Sequence, residues 1–289
     1  MTDDKNHRRH LRKGKARTRI LLRLLFLALW LAPTAASDLL ADQVLVRQTQ
    51  IGQRMPIYLS ESSQLVLGGD TSVAIDDTAP AHRVILKSGE LYANVHHNDD
   101  RAFEIVVGQL VLYDRGTQFV ASKHDEIANV AVTEGQLQLF ERGPEGEFRD
   151  PMVVEPGVHR REPAILAAGD QARVEQLSDG TLVVTRGKRD LAAAKRRMQW
   201  LEDNLDTTGW RLDELVWEFN RYNLRQIVID DPQLASQSFG MTLHLNNVDD
   251  FTKALMTYGI TVTRGGGDGG TDWSYHLRGG SRHAKERGK

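Results

Sequence analysis

The chain has 289 residues, 40% of them hydrophobic, and its 37 Lys and Arg against 39 Asp and Glu leave a formal charge of −2. That length suits two modest domains rather than one large core, and so balanced a charge gives the whole protein no electrostatic call on nucleic acid. There is no cysteine, which excludes disulfides, thiolate zinc sites and cysteine nucleophiles together but leaves the compartment open.

The first nineteen residues carry eight Lys or Arg against two Asp and lead into the apolar run "ILLRLLFLALWLAPTAAS". A basic flank before an apolar stretch is an address, and two addresses fit. As a signal peptide, Thr34 and Ala36 occupy the −3 and −1 sites of a cleavage after Ala36. As a membrane anchor, the stretch from Ile20 to Ala36 is short against the ~20 residues a span needs, and Arg23 lies inside it. Either way the basic flank stays in the cytoplasm and everything after Ser37 is exported.

From Gln43 to about Phe140 the pattern is short strands and turns. "RVILKSGELYANV" alternates around Ser88-Gly89, "AFEIVVGQLVLYD" around Gly108, and "NVAVTEGQLQLFE" around Glu134-Gly135, each a hairpin signal. Val130, Val132, Leu137 and Leu139 keep the period of two that half-buried strands require. The region is all-β, and a sandwich, a barrel or a solenoid would each satisfy it. Glu141 to Pro163 is rich in charge, Gly and Pro and predicts a loop excursion. "ARVEQLSDGTLVVTR" predicts a hairpin turning at Asp179-Gly180, and "KRDLAAAKRRMQWLEDNL" a basic connector helix.

After Trp200 the character changes. Leu212, Leu215, Val216, Phe219 and Tyr222 form one apolar stripe of a helix that stops at Asn223. "QIVID" and "GMTLHL" follow as strands. Asn247 then caps a second helix, with Asp249 and Asp250 in its first turn and the stripe Val248, Phe251, Leu255 and Tyr258. Gly259 ends that helix, and "ITVTR" and "WSYHL" close the region as strands on either side of "GGGDGG". Helix–strand–strand–helix–strand–strand describes a small α+β domain.

The order and spacing of several segments resemble the FecR family of membrane sensor/anti-sigma regulators of cell-surface signalling. In the β region the resemblance rests on Gly89, Tyr92, Val95, His96 and Phe103, on the Gly116-Thr117-x-Phe119 turn, on "VAVTEGQLQL" and on "LAAGDQARV". In the C-terminal region "LDELVWEFNRYNLRQIVIDDPQL" resembles the STN-type domain shared with secretins and TonB-dependent receptors. Two departures stand out. Asp203 and Thr207 occupy positions where the family has Gly and Phe, and a basic segment of nineteen residues stands where the family has a helical sigma-binding domain.

The resemblance implies a mainly β fold, a FecR-type short-strand domain (sandwich or solenoid) plus a small C-terminal STN-like α+β domain, after one N-terminal apolar helix. The expected division is a basic cytoplasmic segment at 1–19, a transmembrane helix or signal peptide at 20–36, and the FecR-type domain at 43–140. A loop, hairpin and connector occupy 141–199, the STN-like domain 200–277, and a disordered tail 278–289. The partners it implies are a TonB-dependent receptor signalling domain, an ECF-type sigma factor and the inner membrane, with the bulk of the chain in the periplasm.

No pattern in the chain predicts an enzyme or a cofactor. His96-His97 beside Asp99-Asp100 reads as a polar loop rather than a metal site, because neighbouring residues on a strand point to opposite faces. Glu134 has no second carboxylate placed opposite it for acid–base work, and Asp230-Asp231 reads as a strand end. The candidate partner-binding residues are the aromatics and the arginine around the first helix: Trp217, which lies off the apolar stripe, with Arg221, Tyr222 and Trp210. The expected role is that of a non-enzymatic signal transducer; the alternative is an exported periplasmic β-rich protein-binding module released by signal-peptide cleavage.

Overall fold

A computed structural model describes residues 44–76, 81–96, 102–114, 116–155, 158–266 and 273–280. The expected N-terminal helix, His97 to Asp100 and the end of the tail lie outside them. Of the unit Met1–Leu45, only Val44 and Leu45 are described, the start of an exposed strand that runs to Gln48. From Val46 onward the described residues form one compact unit. Among the described residues no helix is long and apolar enough to cross a membrane.

The fold is mainly β, with a curled sheet of sixteen strands. One long strand, His82–Asn94, belongs to both halves of it. Its first part pairs with Ser72–Asp76 and, in parallel, with Phe103–Val107. Its second part pairs with Gln64–Leu67 and Gln118–His124. Between the two, Gly89 adopts φ +89, where a Cβ would also strike Thr71. The bend changes which residues face inward. Val84 and Leu86 enter the core before it and Leu91 and Ala93 after it, a change of parity that frees Glu90 and Tyr92 to point out of the other face. Ser88-Gly89 is therefore a bend within one strand, not the hairpin turn its sequence suggests.

Glu134-Gly135 is corrected in the same way. The strand Ile127–Glu134 pairs with Gln118–His124 and Gln171–Gln176, whereas Gln136–Arg142 pairs with Leu110–Asp114 and Ala164–Ala167. The chain turns a corner there and passes from one half of the sheet to the other. The hairpins expected at Gly108 and at Asp179-Gly180 do form, joining Phe103–Val107 to Leu110–Asp114 and Gln171–Gln176 to Leu182–Arg186. Val130, Val132, Leu137 and Leu139 are all buried in the one core that the two halves enclose, with Phe103, Phe119 and Ile105 among its largest side chains.

The segment expected as a loop excursion carries strands of its own. Met152–Glu155 lies parallel to Leu182–Arg186 and buries Val153 completely, so this strand extends the sheet rather than leaves it. The basic connector follows as helix α1, Leu191–Arg196, capped by the Asp190 side chain, and a 3-10 turn at Gln199–Glu202.

Beyond Trp200, itself fully buried, the chain builds the α+β region around a second core. A short strand, Asn204–Asp206, pairs with Thr242–His244. Helix α2 is Leu212–Tyr222 and helix α3 is Val248–Thr257. Ile227–Ile229 pairs in parallel with Ser274–Gly279, which pairs antiparallel with Ile260–Gly265. The predicted α2 stripe is buried in full, and Phe219 stacks on Phe251 of α3 with ring centroids 4.2 Å apart. Asn247 caps α3 as expected, its side chain accepting from the Asp250 amide. Tyr258 departs from the predicted stripe: it is exposed and donates its hydroxyl to the Gly240 carbonyl at 2.8 Å.

The first of the departures noted in the sequence, at Asp203 and Thr207, has local physical consequences. Asp203 sits at φ +62, a left-handed conformation that suits glycine and that Asp tolerates better than most residues. Its carboxylate accepts from Arg54 at 2.7 Å, a contact glycine could not make. Thr207 is fully buried, and its hydroxyl bonds the Phe239 carbonyl while accepting from the Met241 amide at 3.0 Å.

Candidate functional site

Helix α2 has two buried faces. Leu212, Leu215, Phe219 and Tyr222 line the core of the α+β region, while Glu218 and Arg221, which are polar, are 0% and 3% exposed. Those two lie against the outer face of the sheet, where the bend at Gly89 has turned out Glu90 and Tyr92. Val66, Tyr92 and Val120 of that face pack into the second core.

Arg221 organises the contact. Its Nη1 donates to Glu90 Oε2 at 3.0 Å and to Glu218 Oε2 at 2.8 Å, and its Nε donates to the Gly69 carbonyl at 2.9 Å. The Arg221 carbonyl accepts from the Gly52 amide at 2.9 Å, and the Tyr222 hydroxyl accepts from the Gly69 amide at 3.2 Å. Arg54 lies over the Tyr222 ring, 4.8 Å from its centroid.

So close an approach of helix to loop needs residues without side chains. A Cβ on Gly69 would collide with the Arg221 carbonyl oxygen, and one on Gly68 with the Arg221 guanidinium. Gly69→Ala is expected to destabilise the protein by about 1–3 kcal/mol, because the obstructing atom is backbone and cannot swing aside. A urea midpoint equal to that of the wild type would show that the loop yields instead.

Burial dominates the electrostatics. It pushes the Glu90 carboxyl up to about 8, reinforced by the Glu218 charge and opposed by Arg221. Burial likewise raises Glu218, against the pull of Arg221, Arg197 and Arg54. For Arg221, burial acts against the charge, but the Glu218 and Glu90 carboxylates outweigh it and hold its pKa above the ordinary value. Burial, then the Glu218 charge, raises the Tyr222 hydroxyl.

Toward its N-terminal end α2 diverges from the sheet and leaves a cleft of about 590 Å³. Its walls include Ser122, His124 and Arg173 on the sheet and Trp210, Glu214 and Trp217 on the helix side. Arg197 crosses the cleft, paired with Glu214 at 2.8 Å and stacked 4.0 Å from the Trp210 ring centroid.

The candidate partner-binding residues therefore have different settings from those a free docking face requires. Arg221, Tyr222 and Trp210 are buried within the chain, the first two holding α2 to the sheet and the third beneath Arg197. Trp217 is half-buried, with the Arg221 guanidinium 4.4 Å from its ring centroid and the His124 ring at 5.6 Å. The reason is that the sheet, not solvent, occupies the second face of the helix. Glu90 and Glu218 were missed by the sequence reading. The available signal was the Glu218/Arg221 pair, one turn apart beside an unbroken apolar stripe.

The other candidates behave as ordinary structure. Asp230 accepts from His276 Nδ1 and from Arg278 Nε, both at 2.8 Å, and Asp231 caps the 3-10 turn Pro232–Leu234. Glu134 is exposed at the corner. Among the described residues no group of three or more His, Asp or Glu is placed to hold a metal ion.

Residues 46–138 match the family described as FecR protein. Two solved structures of a candidate anti-sigma factor from Parabacteroides distasonis are similar in fold. One, at 2.50 Å resolution, is 16% identical with a TM-score of 0.61 and covers 82% of this chain and 99% of its own. The other, at 1.65 Å, is 15% identical with a TM-score of 0.62 and covers 81% of this chain and 99% of its own. No curated protein matches the chain.

Proposed function

We propose that the protein is a FecR-like regulator of signal transduction, exported across the inner membrane, that relays the state of an outer-membrane TonB-dependent receptor toward an ECF-type sigma factor. The observation that carries this reading is the seating of α2. The helix belongs to the C-terminal core, yet its second face is bonded to the sheet that matches the FecR family. Anything that shifts the α+β region must strain those bonds, so occupancy at one end of the unit is felt at the other. In this reading the C-terminal region is the STN-like receiver, and Trp217 is the member of the candidate set that an incoming partner can reach at the edge of the cleft. Arg221, Tyr222 and Trp210 transmit rather than touch.

The N-terminal basic flank and apolar run support a single-pass inner-membrane placement with the bulk in the periplasm. A chain cleaved after Ala36 would be a soluble periplasmic binding module instead, and intact-mass measurement of the N-terminus distinguishes the two.

The test of the relay is co-purification of the full chain with signalling domains of TonB-dependent receptors and with sigma factors from the same genome. Retention of a receptor domain, weakened by Trp217→Ala, is the expected result. Retention of none of them by the wild-type chain would overturn the reading.

A further inference from the structure

We infer that Glu90 and Glu218 hold one proton between them at the seat of α2, and that its loss loosens the C-terminal region from the sheet. Both carboxylates accept from the same nitrogen, Arg221 Nη1, at 3.0 and 2.8 Å, so they lie side by side. Glu90 is 4% and Glu218 0% exposed. Two carboxylates against one guanidinium leave an uncompensated negative charge where water does not reach, a costly arrangement. Glu218 Oε1 is buried and has no hydrogen-bond partner as a carboxylate. A proton on either carboxyl makes it a donor to the other and brings the cluster to neutrality.

The surrounding charges do not remove the need for that proton. From the connector, Arg197 is engaged by Glu214 of α2 at 2.8 Å. From the N-terminal loop, Arg54 is engaged by Asp203 at 2.7 Å. The Tyr222 hydroxyl, which accepts from Gly69, is neutral and brings no positive charge to the cluster. On the sheet side, Ser122 is neutral, Arg173 pairs with Glu175, and His124 and Asp125 lie at the solvent edge of the cleft, against each other at 3.5 Å.

The direction of the pH effect follows. In the open form, each carboxyl regains water and its ordinary pKa near 4.5, whereas in the closed form the Glu90 carboxyl is pushed up to about 8. Below that window both forms carry the proton, and above it neither does. Within it only the closed form does, so the closed-to-open ratio falls by up to about tenfold for each pH unit gained. The cleft beside the cluster means that α2 already stands away from the sheet toward its N-terminal end, and a small further movement admits water. This inference depends on neither a partner nor a compartment, and stands or falls separately from the proposed relay.

The chain has no cysteine, so a spin-label pair can be placed without interference. Tyr58→Cys on the β region and Leu224→Cys just past α2 are suitable, the native residues being 73% and 84% exposed. Distance distributions in the full chain, measured by pulsed electron resonance from pH 6 to pH 9, should show one distance at pH 6 and a longer one growing in toward pH 9. E218Q, which is uncharged at every pH, should keep the single distance throughout. Unchanged distributions in the wild-type background would overturn the inference, as would an E218Q variant that opens along the same curve. Far-ultraviolet circular dichroism separates local opening from global unfolding. Should E218Q fail to fold, E90Q and the wild-type titration decide the question.

Discussion

Arg221→Met should destabilise the protein by about 3–5 kcal/mol, the cost expected when one partner of a buried ion cluster is removed and the others stay. The loss does not come from shedding a favourable surface pair. Glu90 and Glu218 are buried, and without the guanidinium they lose the one cation bonded to both, Arg197 and Arg54 being engaged by Glu214 and Asp203. The variant also gives up the Arg221 Nε donation to Gly69 and the guanidinium stacked on Trp217. Urea denaturation at pH 7 measures the effect. A companion variant carrying Glu90→Gln and Glu218→Gln with Arg221→Met should recover most of the loss, because a neutral cluster has no buried charge to strand. A cost below about 1 kcal/mol for Arg221→Met alone would mean that the cluster is solvated, contrary to its burial.

Phe219→Ala should have a comparable effect, about 3–5 kcal/mol, for a different reason. Phe219 is fully buried and stacked on Phe251 at 4.2 Å, with Trp200 in the same core. Truncation removes apolar area and leaves a cavity that two helices and a sheet cannot close. In a unit of this size the melting temperature should fall by roughly 10 °C. Because α2 is buried on both faces, the fall should appear as one shifted transition rather than as early melting of the C-terminal region alone. An early separate transition would show that the two regions unfold independently. Leu224→Ala, at a site 84% exposed, is the control and should stay within about 0.5 kcal/mol of wild type.

The two variants separate two kinds of attachment. Phe219 secures α2 to its own core by area and packing, interactions indifferent to pH. Arg221 secures it to the sheet through charge, an interaction that depends on the protonation of its partners. A helix held by packing on one face and by a proton-linked cluster on the other can be released from the second without losing the first, the arrangement a relay requires.

Much of this was legible in the residues themselves. The period of two in "NVAVTEGQLQL", the stripe Leu212–Leu215–Val216–Phe219–Tyr222 and the cap at Asn247 depend on local sterics, spacing and backbone hydrogen bonding, and the chain carries all of that within a dozen residues. The sequence alone therefore determined the β character of the first region and the two helices of the second. What only the tertiary structure decided is which faces meet. Ser88-Gly89 and Glu134-Gly135 have the composition of hairpin turns, but the strands flanking them found other partners, since pairing is settled by competition across the whole sheet. Glu90 lies more than a hundred residues from Glu218 and Arg221, and although those two stand one turn apart on α2, nothing local pairs them with it. They became one cluster because the bend at Gly89 turned one strand face outward and the second face of α2 came down upon it, burying charges that only each other could compensate.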